Sequence, residues 1–138
     1  MSRVQEISVA LRFSGDDLDP QSVSSRLGTT PSRSALKGET LPSASGRERV
    51  AKTSYWNLQV VPIAPNEEFD DQVRRLFNQL TPDKEVWCDL AGRFAANLFV
   101  GLFLNDTNEG LVIGHETLRA IVERGLEIQF DLYGPSDD

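Results

Sequence analysis

The sequence predicts one compact α+β domain, with a mainly antiparallel sheet of about four or five strands and helices packed on one sheet face. Three observations carry this expectation. Apolar and polar residues alternate in several segments, the period of a strand with one buried face. Between those segments apolar residues recur three and four apart, the period of a helix. The 138 residues show no internal repeat and no linker, so residues 1–138 are read as a single domain of ordinary size.

The first strand is Gln5 to Phe13, where Ile7, Val9, Leu11 and Phe13 alternate with Glu6, Ser8, Ala10 and Arg12. Ser14-Gly15-Asp16-Asp17 ends it. Asp19-Pro20 is a helix cap followed by proline at the first helical position, and Val23 and Leu27 share a face before Gly28 closes the helix. Residues 29–53 form a long basic loop rich in Ser, Gly and Pro, with no clear period and a mobile tip expected at Ser43-Ala44-Ser45-Gly46. Tyr55 to Val61 alternates again and puts Trp56 inward and Tyr55 on the opposite face. Phe69, Val73, Leu76, Phe77 and Leu80 mark an amphipathic helix. Thr81-Pro82 reads as the cap of another helix, running through Val86, Trp87, Leu90 and Ala91.

Asn97 to Leu104 is apolar on both faces, as expected of a central strand. Asn105 to Gly110 is a turn cluster, and Leu111-Val112-Ile113 is read as a short paired strand. His115 to Arg124 is helical, with Leu118, Ile121 and Val122 on one face and Gly125 at its end. The closing strand runs from Leu126 to Tyr133, with Leu126, Ile128, Phe130 and Leu132 inward. Residues 135–138 are a polar tail. The predicted core thus includes Trp56, Phe77, Trp87 and Phe130.

Composition narrows the function. The net charge is -7, which disfavours nonspecific nucleic-acid binding, because that binding depends on cationic side chains displacing counterions. No run approaches the ~20 apolar residues of a membrane span, and the N-terminal residues lack the pattern of a signal peptide. The one cysteine, Cys88, leaves no intrachain disulfide and suits a reducing compartment. The chain is therefore read as cytoplasmic, with no membrane and no nucleic-acid partner.

The charge is unevenly spread. Residues 26–52 hold six cations against Glu39 and Glu48, a balance of +4, which leaves -11 for the rest. Two readings of this basic stretch stand side by side. It is a solvated loop, or it is a partner- or anion-binding patch in which Arg33, Lys37, Arg47 and Arg49 act with Tyr55. The glycines form no nucleotide fingerprint.

Catalytic chemistry finds little support. Cys88 and His115 are the only members of their types. Cys88 is read as a small hydrophobe within its helix, and His115 at a helix start is disfavoured as a cation by the helix dipole. One Cys and one His do not make a zinc site, so no metal and no cofactor are expected. The acidic pairs, among them Asp16-Asp17, Glu67-Glu68 and Asp70-Asp71, sit at element ends where they cap or are solvated. Asp131 lies with Glu127, Gln129 and Tyr133 on the outer face of the last strand. No catalytic residue is assigned, and enzymatic activity stays open.

Several pieces together resemble a bacterial family of uncharacterised single-domain proteins, the domain of unknown function numbered 4279. They are "SGDDLDPQSVSSRLGTTPSR", "KGE", "YWNLQ", "LFNQLTPDKEVWCDL" and "LRAIVERGLEIQFDLY", in that order. The resemblance implies a compact α+β bacterial protein and supplies no catalytic residues. The reading that follows is a non-catalytic protein-interaction module, of which toxin-neutralising immunity proteins are one analogous form. The alternative is a small-molecule or anion-binding domain that uses the basic loop.

Overall fold

The computed structural model describes residues 2–4, 6–43 and 45–135. Gln5 of the first predicted strand, Ala44 of the loop tip and residues 136–138 of the tail lie outside them. The elements in chain order are β1 (Ser2–Arg3), β2 (Glu6–Gly15), α1 (Pro20–Leu27), β3 (Arg33–Ala35), β4 (Thr40–Leu41), β5 (Arg49–Val50), β6 (Ser54–Gln59), α2 (Phe69–Asn78), α3 (Lys84–Arg93), β7 (Ala95–Phe103), β8 (Glu109–Gly110), α4 (His115–Glu123) and β9 (Glu127–Tyr133). The main sheet has five strands in the order β3-β6-β2-β7-β9. Its pairs are antiparallel except β7 with β9, which is parallel because α4 carries the chain back between them. The domain is α+β, as the sequence predicts.

The register explains the layering. Leu11 pairs with Leu58 on one side and Leu98 on the other, and Val9 pairs with Val100. These residues share one sheet face and are buried there with Phe13, Trp56 and Leu102. All four helices supply residues to the same core: Val23 and Leu27 from α1, Phe69, Val73 and Leu76 from α2, Trp87 and Leu90 from α3, Ile121 from α4. Phe77 is buried as well, in edge contact with Trp87. Polar groups tie the layers together. Buried Gln72 donates from Nε2 to the carbonyls of Ile7 (2.9 Å) and Glu67 (3.0 Å). Trp56 Nε1 donates to Ser24 Oγ at 3.0 Å.

Capping follows local chemistry at α1, where Asp19 accepts from Gln21 N and Pro20 opens the helix. The next cap differs from expectation. Asp83, not Thr81, caps α3 and accepts from Glu85 N at 3.0 Å. Thr81 instead donates its backbone N–H to Leu27 O, so the pair Thr81-Pro82 joins helices rather than starting one.

Other expectations are corrected. The central strand is β2, with β7 one place from the edge. Residues 111–113 are not a strand, since the parallel bridge to β1 is made by Glu109 and Gly110. The stretch 29–53 is not structureless: it holds edge strand β3 and the β4–β5 hairpin. Cys88 is exposed, because Trp87 and Leu90 form the buried stripe of α3. Phe130, expected in the core, is 44% exposed, and Leu132 is 63% exposed. Their facing is as predicted, since Phe130 pairs with Val100 and Leu132 with Leu102 on the inner face. They are uncovered because β9 is an edge strand and α4 packs on the core mainly through Ile121, leaving Leu118 and Val122 outward.

Candidate functional site

Alternation leaves the polar residues of each strand on the sheet face away from the helices. The pairings align one residue from every strand of the main sheet in a single row across that face: Arg33, Asn57, Arg12, Asn97 and Glu127. Tyr55 and Ser14 pair in the neighbouring row. The β4–β5 hairpin provides a wall beside these rows. It is anchored by Gly38 N to Ala51 O (2.8 Å), Ala51 N to Glu39 O (2.9 Å) and Lys37 N to the buried Ser54 Oγ (2.9 Å). Ala51 packs inward at the hairpin base.

The result is an open groove of about 340 Å³ lined by Arg12, Ser14, Arg33, Arg49, Thr53, Tyr55, Asn57 and Asn97, above the backbone of Phe13. Among the described residues, three arginines line it and no carboxylate does. Arg12 lays its guanidinium 4.4 Å from the centre of the Phe99 ring, which supports the side chain without neutralising it. Among the described residues, none of the three arginines makes an ion pair. Asn97 Oδ1 is buried with no hydrogen-bond partner among the described residues.

The fold gathers some of the sequence-predicted residues and separates others. Arg33, Arg49 and Tyr55 meet in the groove. Lys37 does not line it: its Nζ pairs with Asp16 Oδ2 at 3.1 Å. That contact, followed by the Thr53 hydroxyl, holds the Asp16 carboxyl below the usual carboxylate range. Arg47 stands exposed before β5, outside the lining. Arg12, Asn57 and Asn97 were not singled out by the sequence reading. Their outward parity was legible, but only the strand order aligns them.

Among the described residues, no hydrogen bond or ion pair joins Cys88, His115 and Asp131 to one another. His115 opens α4, with exposed Cys88 on α3. Asp131 accepts a hydrogen bond from the Tyr133 hydroxyl on the outer face of β9, and that bond, followed by the negative charge of Asp131, raises the pKa of Tyr133. Asp70 accepts from the Gly114 backbone N–H at 3.1 Å, a structural tie between α2 and α4. Among the described residues no three His, Cys, Asp or Glu side chains gather as a metal site, and no helix is long and apolar enough to cross a membrane.

No curated protein and no solved structure matches the chain. The model of a domain of unknown function, DUF4279, matches residues 5–135. That span takes in every element of the main sheet and all four helices, so the groove and the core beneath it lie within the matched region. The chain belongs to the DUF4279 family.

Proposed function

We propose that the protein is a non-catalytic interaction module and that the outer-face groove grips anionic groups carried by a protein partner. The convergence of Arg12, Arg33 and Arg49 on a groove whose described lining holds no carboxylate carries this reading. Three guanidinium groups gathered on one surface repel one another. A carboxylate or phosphate among them relieves that repulsion and accepts from their planar forks, often two hydrogen bonds at a time. Tyr55 adds an aromatic ring of the kind enriched at binding hot spots.

The openness of the site favours a partner surface over an enclosed ligand. Arg33 and Arg49 are exposed, whereas small-molecule sites bury most of their ligand. One observation favours the second reading, a small organic acid. Asn57 and Asn97 line the groove beside the arginines, so a ligand combining a carboxylate with an N–H or O–H group finds amide partners there as well as the guanidinium groups.

The test is titration calorimetry with a short Glu-rich peptide and, separately, inorganic phosphate. Wild type is expected to bind the peptide saturably. The double variant Arg33→Glu/Arg49→Glu is expected to bind at least about tenfold more weakly, equivalent to about 1.4 kcal/mol, with an unchanged melting temperature. Equal affinity in both proteins would remove the groove from the partner surface.

A further inference from the structure

We propose that the free edge of β9 is a dimerisation edge, and that its occupant is the β9 of a second copy of this chain, paired antiparallel about a two-fold axis at Phe130. The sheet ends in two edges of different character. β3 is three residues long and carries Arg33 and Ser34. β9 is seven residues long, EIQFDLY, with no Pro, Gly, Lys or bulge to discourage pairing. Among the described residues no strand pairs with its outer side.

The hydrogen bonding of β9 decides which groups face outward. Leu104 N donates to Tyr133 O at 2.8 Å, so Tyr133 directs its backbone groups toward β7. In a parallel ladder this direction alternates residue by residue. Glu127, Gln129 and Asp131 therefore also turn toward β7, while Ile128, Phe130 and Leu132 present their N–H and C=O groups to the free edge.

That set is self-complementary. With Phe130 opposite its own copy, Ile128 falls opposite Leu132, and all three positions become hydrogen-bonded pairs of an antiparallel ladder. On the other face Gln129 falls opposite Asp131, and Tyr133 opposite Glu127. Each carboxylate then meets a neutral donor, and no like charges stand directly opposite one another, where they would destabilise the pair. The inner face of the edge gains cover at the same time. Phe130 and Leu132 project from it uncovered, and α4, packed on that same face, carries exposed Leu118 and Val122. Two copies related by this axis bring one such apolar band against another, which is the closed, isologous arrangement of a dimer.

The register gives a sharp test. In a Cys88→Ser background, Phe130→Cys places its cysteine opposite its own copy. The paired Cα atoms of a hydrogen-bonded pair lie ~5.5 Å apart, within disulfide reach. Mild oxidation is expected to yield a covalent dimer from Phe130→Cys and none from Ile128→Cys, whose cysteines lie four residue positions apart along the ladder. Sedimentation of the unmodified protein over a rising concentration series is expected to move from 15.3 kDa toward twice that mass. Leu132→Lys, at an already exposed position, should hold it monomeric, with the melting temperature that wild type shows at concentrations where it is monomeric. A wild-type protein that stays monomeric throughout, a dimer that survives Leu132→Lys, or crosslinking by Ile128→Cys alone would each overturn the proposal.

Discussion

At the scale of single residues, three side chains show how burial and pairing set stability. Trp56 is fully buried and touches the edge of Phe13, while its indole N–H is satisfied by Ser24. Trp56→Ala is expected to destabilise the domain by about 3–5 kcal/mol, measured by urea unfolding. Arg124 departs from the rule that cations seek water. Its guanidinium lies 4.1 Å from the Phe77 ring centre and 5.4 Å from that of Trp87, and burial lowers its pKa. It acts as a cover over the aromatic cluster. Glu67 links stability to pH. Its side chain is 5% exposed and pairs with Arg75 at 2.6 Å, while also accepting from Ile63 N. The Arg75 hydrogen bond is the largest cause holding its pKa below the glutamate range, and burial opposes it. A depressed folded-state pKa stabilises above the unfolded pKa, and that stability is lost as pH falls through the folded value. Glu67→Gln is therefore expected to melt lower than wild type near neutral pH, with the two melting curves converging as the pH is taken down through the carboxylate range. A constant gap at all pH values would remove the ion pair as the cause.

At the scale of elements, the turn between α4 and β9 illustrates a position fixed from two sides. Gly125 has φ +71°, and a Cβ there would stand 2.9 Å from Ala91 Cβ on α3. Gly125→Ala meets both the left-handed backbone and that contact. It is expected to destabilise by more than about 1 kcal/mol, read as a lower urea midpoint with an unchanged slope. Alternation in the sequence revealed β2, β6 and β9 and the facing of each. The helical spacing of Phe69, Val73 and Leu76 revealed α2. What alternation leaves out is coverage. Phe130 and Leu132 point to the face that their pattern demands, yet a strand cannot declare whether another element lies over it. Leu118, Ile121 and Val122 share one apolar stripe, and only Ile121 reaches the core. The groove was half legible for the same reason. Arg33, Arg49 and Tyr55 stood out by composition, whereas Arg12 and Asn97 join them through pairings between strands far apart in sequence. Lys37 looked equivalent to Arg33 until folding placed it beside Asp16.

At the scale of the whole molecule, the charge distribution sets two opposing fields. The chain carries -7 overall, while the groove concentrates three arginines on one face. A domain of this length has a radius of gyration of about 14 Å. The screening length is about 30 Å at 0.01 M salt and about 10 Å at 0.1 M. At the lowest salt an approaching acidic peptide senses the whole molecule, and the net negative body repels it. Near 0.1 M it senses only the nearest surface, and the groove attracts it. Above that, the groove itself is screened. The association rate of a Glu-rich peptide, followed by stopped-flow fluorescence, is thus expected to rise and then fall as salt increases. The dissociation rate should change less, because charges at an exposed rim act mainly on encounter. Arg33→Glu/Arg49→Glu removes the local attraction and leaves the body's repulsion, so its residual rate should only rise with salt. A wild-type rate that climbs without a maximum would mean that the groove never outweighs the acidic body, and the partner surface would then have to lie elsewhere on the domain.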